Sequence, residues 1–293
     1  MTNPEDLAQA LAERLHERTV NRAELHPYVL VDGALLPAAW HELSLVERRV
    51  VVPDRIRAAP SEHWALPALV AFPTDVLRRQ AMLLRTARWA LQSHAVSWLV
   101  SPLNIDALAA ALAARSDVQL PDNHRAILRV ADTRVLPVLR RVLDAQQAAA
   151  YFRLARGWWH LDRRCELVEI ELPTEVASPE GHESRWLLDD RQQAAMIDAA
   201  EPDAVLALLR EHDPEGLRKL TRSEEHGYVV DAIEAAKRWK IDSTRDCAIY
   251  CMLTLELGAC FDAKVPWSDT MDEVMQRKLS LTDAVQRHEG EAA

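Results

Sequence analysis

Glycine is scarce in this sequence, at seven residues of 293, and the few present are scattered. Loops that lay backbone N–H groups against a phosphate need glycines at fixed offsets, and neither GxxxxGK[ST] nor GxGxxG occurs. A GxSxG elbow and an HExxH helix are missing too, which removes the local signatures of acyl transfer and of zinc hydrolysis. Long apolar runs are absent: nothing approaches the roughly 18 residues of a membrane span. The opening Met1-Thr2-Asn3-Pro4-Glu5-Asp6 has neither the basic nor the apolar region of a signal peptide, so the expected address is the cytoplasm. Cysteines are few and form no CxxC pair: Cys165, Cys247, Cys251 and Cys260 read as reduced core residues. Cys247 and Cys251 lie one helical turn apart, but no histidine stands at an offset that completes a tetrahedral site, so neither metal nor cofactor is expected.

Lysine is missing from residues 1 to 172, which hold 21 arginines against 20 acids, whereas residues 173 to 293 hold 14 basic and 25 acidic residues. The overall charge of −10 disfavours nucleic acid as a partner, because phosphate binding rests on clustered cations that release counterions. The charge difference between the two parts implies two different surfaces. With 49% hydrophobic residues the chain can bury a large core without staples.

Periodicity divides the chain. Asn3-Pro4 reads as an N-cap with proline at the first helical position, and Leu7, Leu11 and Leu15 form an apolar stripe after it. Residues 28–31, 49–52, 95–100, 126–130, 158–161 and 165–172 read as strands, and 75–92 and 105–115 as helices. Asp132 or Thr133 is expected to cap a helix running toward Ala150. The run from Pro173 to Gly181 breaks all periodicity. Beyond it the pattern is helical over 189–200, from Glu201-Pro202 onward, over 223–240, over 243–257 and from Trp267, with a polar tail from His288. The expected class is α+β: a mixed α/β lobe with a short-stranded sheet over 1–172, a linker over 173–184, and an acidic all-helical lobe over 185–293.

No catalytic residue is assigned. His41-Glu42, His63 and His124 fall in expected loops, where a surface role competes with an acid–base one. Nine tryptophans are a stronger feature, since tryptophan serves both cores and interfaces. The neighbours Trp158 and Trp159 point to opposite faces of a strand, so one can be core while the other meets a partner. Asp132 and Arg134, at a strand-to-helix turn, either satisfy each other and the local backbone or help to hold a binding surface. Trp158, Trp159, Asp132 and Arg134 are therefore the candidate partner-binding residues.

Leu128-Arg129-Val130-Ala131-Asp132-Thr133-Arg134-Val135-Leu136 resembles the FR-x-x-DPRVL signature of the type VI secretion effector chaperone and adaptor family, with Leu128 in place of Phe and Thr133 in place of Pro. Tyr28-Val29-Leu30-Val31-Asp32-Gly33-Ala34 is similar to that family's opening Y-x-L-x-D-G-A strand. Trp98-Leu99-Val100-Ser101-Pro102 resembles a later strand, and Gln146 through Trp159 its closing passage. Ala236-Lys237-Arg238-Trp239-Lys240-Ile241-Asp242-Ser243 and Leu257-Gly258-Ala259-Cys260-Phe261-Asp262 look like its yGI-x-S and lG-x-x-FD elements. The resemblance implies a non-enzymatic bacterial adaptor that binds a secreted effector and loads it onto the spike protein VgrG or its PAAR tip. The competing readings are a hydrolase-like enzyme with a dispersed His/carboxylate site, and an immunity or regulatory binding protein.

Overall fold

The computed structural model describes residues 3–43, 48–53, 56, 60–172 and 186–292. The chain divides into two compact units, Met1–Met196 and Ile197–Ala293. The expected linker over 173–184 lies outside the described residues.

The first unit is built on a six-stranded antiparallel sheet in the order β2-β3-β1-β4-β7-β8. Its strands are β1 (His26–Asp32), β2 (Arg48–Val50), β3 (Pro67–Ala71), β4 (Val96–Ser101), β7 (Gly157–Leu161) and β8 (Leu167–Glu169). A small second sheet joins β6 (Arg125–Ile127), β5 (Asp117–Gln119) and β9 (Trp186–Leu187). Both faces of the large sheet are covered, so its central strands are buried at nearly every position, as β4 is throughout. The strand period of two sorts the side chains. Tyr28, Leu99 and Trp158, paired across β1, β4 and β7, enter one core with α4 (Ile105–Ser116), α5 (Val135–Val142) and α6 (Ala145–Phe152). Val29, Trp98 and Trp159, the next row, enter the other core with α1 (Pro4–Thr19) and α3 (Val76–Gln92). The result is a three-layer α/β/α arrangement.

Local chemistry explains most of the boundaries. Asn3 accepts from the Asp6 N–H at 2.7 Å and Pro4 opens α1, whose Leu7, Leu11 and Leu15 are all buried. Asp75 caps α3 and Asn104 caps α4 in the same way. The single helix expected from Asp132 toward Ala150 is two helices. Asp144 interrupts it and starts α6 with a capping box, accepting from the Gln147 N–H while Gln147 accepts from the Asp144 N–H. The strand expected over 126–130 stops at Ile127. β3, whose apolar run lies between prolines, and the three-residue β5 are strands beyond those expected.

In the second unit, α7 (Asp190–His212) runs on from the first and carries Pro202 inside it, where the sequence suggested two helices. It is followed by α8 (Pro214–Leu217), α9 (Arg222–Arg238), α10 (Thr244–Leu257), α11 (Trp267–Met275) and α12 (Leu281–Ala292), which continues through the segment expected to be a tail. Residues from Val205 to Ala284 supply its core. α9 ends in a Schellman turn: Ile241 N–H donates to Ala236 O at 3.2 Å and Lys240 N–H to Lys237 O at 3.0 Å, with Lys240 at φ +59°. An L side chain is disfavoured there, which explains why glycine stands at this place in the motif that the segment resembles. Lys240→Gly is therefore expected to stabilise the second unit by about 1 kcal/mol in a urea titration. An unchanged midpoint would mean that the lysine makes compensating contacts.

Candidate functional site

Two of the segments that carry the motifs, 28–34 and 128–136, meet at one end of the large sheet. Asp32, the last residue of β1, is buried to 1% exposure, and its Oδ1 accepts from the N–H groups of Ala34 (3.0 Å) and Leu35 (3.2 Å). The same oxygen accepts from Nη2 of Arg129, 97 positions away, at 2.8 Å. The Asp32 N–H donates to Ala95 O at 2.7 Å, just before β4, and Thr133 donates to His94 O from its N–H (2.9 Å) and its hydroxyl (3.2 Å). Residues 32–35, 94–95 and 129–133 are thus locked together. Gly33 is required by space: a Cβ there would lie 2.0 Å from the Trp64 carbonyl oxygen, a backbone atom that cannot swing aside.

Asp132 does not cap α5, whose N-cap is Arg134. It holds Arg134 instead, accepting from its N–H (3.1 Å), Nε (2.9 Å) and Nη2 (2.7 Å). The fork-on-carboxylate geometry fixes the turn between the small sheet and α5, and both residues are largely buried. Trp158 and Trp159 do point to opposite faces, but at 0% and 1% exposure neither presents a surface. Helices cover both faces of the sheet, so the idea that one of the pair touches a partner is corrected: both rings are core. Trp158 Nε1 donates to the Ser97 hydroxyl at 3.0 Å.

Arg129 neutralises a carboxylate that has no other cation paired with it among the described residues, and Asp32 Oδ2 has no partner there. Arg129→Ala is expected to cost about 2 kcal/mol, less than a fully buried pair because the guanidinium is half-exposed. Asp32→Asn in the same background should cost much less than it does alone. Additive losses in a double-mutant cycle would show that the pair is not coupled.

Beside this joint lies an open groove of 520 Å³ between α2 (Pro37–Glu42) and the second half of α3. Leu36, whose N–H donates to Asp32 O at 3.2 Å, forms part of its wall with Ala38, Ala81, Leu84 and Trp89. Arg85 lies with its guanidinium carbon 5.2 Å from the Trp89 ring centre. Arg88, Glu42 and Gln92 complete the lining and are exposed. No sequence signal marked this groove, because it is made by the packing of two helices.

The titratable residues are dispersed. His41 is in α2, His63 in a 3-10 turn, and His124 forms an exposed pair with Asp122 at 2.6 Å. His160 is buried on β7, and burial lowers its pKa from the ordinary value. Of the cysteines only Cys247 and Cys251 are core; burial pushes their thiols up to about 11 and about 12, which keeps them protonated at neutral pH. Cys165 is half-buried and Cys260 exposed, against the expectation that all four are core. Among the described residues no cluster of three or more His, Cys, Asp or Glu is placed to hold a metal ion, and no helix is long and apolar enough to cross a membrane. In the second unit Asp262 is buried and its Oδ2 accepts from Trp239 Nε1 and from the Tyr250 hydroxyl, both at 2.6 Å.

These features define an α+β protein with an antiparallel sheet between helical layers, a locked joint at one sheet end and a groove beside it. Residues 27–150 match the model of a protein family described as Domain of unknown function (DUF4123). The match covers β1 to the body of α6 and includes Asp32, Arg129, Asp132, Arg134 and the whole groove. No curated protein and no solved structure matches the chain.

Proposed function

We propose that this protein is a non-enzymatic adaptor of bacterial type VI secretion, which binds a secreted effector in the cytoplasm and delivers it to the spike protein VgrG or its PAAR tip. The observation that carries the reading is the joining of the motif segments. Asp32 of the Y-x-L-x-D-G-A segment pairs with Arg129 of the FR-x-x-DPRVL segment. Within the second unit, Trp239 of the yGI-x-S segment donates to Asp262 of the lG-x-x-FD segment. Short motifs that matched by chance would have no reason to meet in pairs, and a left-handed residue at the motif's glycine position is a third agreement. The family match over 27–150 supports the same reading. An apolar groove flanked by arginines is a surface suited to gripping another protein.

The test is affinity purification of the tagged chain from its native host, with the bound proteins identified by mass spectrometry. The reading expects one toxin-like protein together with a spike component. A chain that returns alone, and that turns over a substrate in a manner lost on replacing a histidine or carboxylate, would favour an enzyme instead.

A further inference from the structure

We infer that the groove between α2 and α3 receives an acidic amphipathic helix of the carried protein, an inference that rests on the adaptor reading above. The seventeen residues of α3 include four arginines and no carboxylate. Two of these arginines, Arg85 and Arg88, lie in the groove lining, where Glu42 is the one acid among the described residues. Arg88 has 57% of its side chain exposed, and its one ion-pair partner among the described residues is Glu5 at 3.6 Å. Arg85 Nε is buried and has no hydrogen-bond partner among the described residues, an unmet cationic donor beside an open apolar space. A carboxylate entering the groove pairs with the Arg85 guanidinium; a lysine does not.

The apolar pattern sets the form of the ligand. Leu77, Ala81 and Leu84 fall at the i, i+4 and i+7 positions of α3 and make one apolar stripe along the helix, with Arg88 at its end. Leu77 is 76% exposed and extends the apolar floor beyond the groove proper. A stripe with this spacing, bounded by α2, matches the apolar face of a helix laid along it, with the anchors of the helix filling the space over Leu84 and Trp89. The flanking arginines then select acidic residues beside those anchors.

The experiment uses the full chain and two labelled helical peptides with leucines at i, i+4 and i+7, one flanked by glutamates and its twin by lysines, with binding read by fluorescence anisotropy. The glutamate peptide is expected to bind at least about tenfold tighter, and the double variant Arg85→Glu/Arg88→Glu to reverse the preference. Arg14→Glu/Arg22→Glu, which changes net charge equally from exposed positions elsewhere, should leave the preference in place. Equal binding of the two peptides, or equal effects of the two double variants, overturns the inference. So does light scattering that shows a dimer of the chain which Arg85→Glu/Arg88→Glu dissociates. Effector export in the native host separates this inference from the adaptor reading. Export lost on removing the chain but intact with Arg85→Glu/Arg88→Glu leaves the adaptor and removes the groove. Export indifferent to removing the chain, with the peptide preference intact, leaves a helix-binding groove in a protein that is no adaptor.

Discussion

Replacing Arg115 by methionine is expected to lower the stability of the first unit by about 3 kcal/mol. Arg115 is only 8% exposed, and burial lowers its pKa from the ordinary arginine value. It forms no ion pair with a carboxylate among the described residues. The charge is met by backbone dipoles. Nε donates to Tyr151 O at 2.8 Å and Nη2 to Ala150 O at 3.0 Å, in the last turn of α6, and Nη1 to Ala111 O at 2.9 Å in its own helix. Cations are favoured at helix C-termini, and here a planar fork reaches two terminal carbonyls at once. Trp186 of β9 lies against the guanidinium, its ring centre 5.8 Å away, so the same side chain helps to seat the small sheet. Methionine keeps the volume and leaves the carbonyls without donors. Arg115→Lys should cost less, since it keeps the charge but not the fork. A methionine variant within about 1 kcal/mol of the parent in a chemical denaturation would mean that water or other donors replace the guanidinium.

The second large effect is at Trp158. Trp158→Ala should cost about 4 kcal/mol, because the ring is fully buried among Tyr28, Leu99 and Phe152 and its N–H is satisfied by Ser97. Trp158→Phe keeps most of the apolar area but strands the Ser97 hydroxyl, and is expected to cost about 1.5 kcal/mol. The phenylalanine variant is expected to fold at that cost, so it also separates stability from recognition. Partner affinity should be unchanged in it, because nothing at 0% exposure touches a bound protein. A tenfold loss of affinity in well-folded Trp158→Phe would restore this residue to the binding surface.

The sequence was informative where a residue's neighbours along the chain determine its role. Asn3 reads as a helix cap from its own side chain and does accept from a backbone N–H three residues on, and Asp75 and Ser243, which open expected helices, do the same. The α+β class followed from the same local patterns. Contacts across the chain were another matter. The strand alternation correctly sent Trp158 and Trp159 to opposite faces, but it carried no sign that helices cover both of them. Asp132 was read as a cap because it precedes a helix, whereas the nearby Arg134 fork takes its oxygens. Asp32 and Arg129 each stood in a recognised motif, yet 97 positions separate them and no periodicity announces their pairing. Arg115 sat unnoticed in an alanine-rich helix for the same reason: its acceptors belong to another helix.

Secretion tests the central claim most directly. In the native host, the proteins released by the type VI apparatus are compared by mass spectrometry with and without this chain. An adaptor predicts that one effector disappears from the medium while the spike protein is still released, that the effector returns when the chain is restored, and that the chain gives a recipient cell no protection. An unchanged set of released proteins, or protection of the recipient, would contradict it.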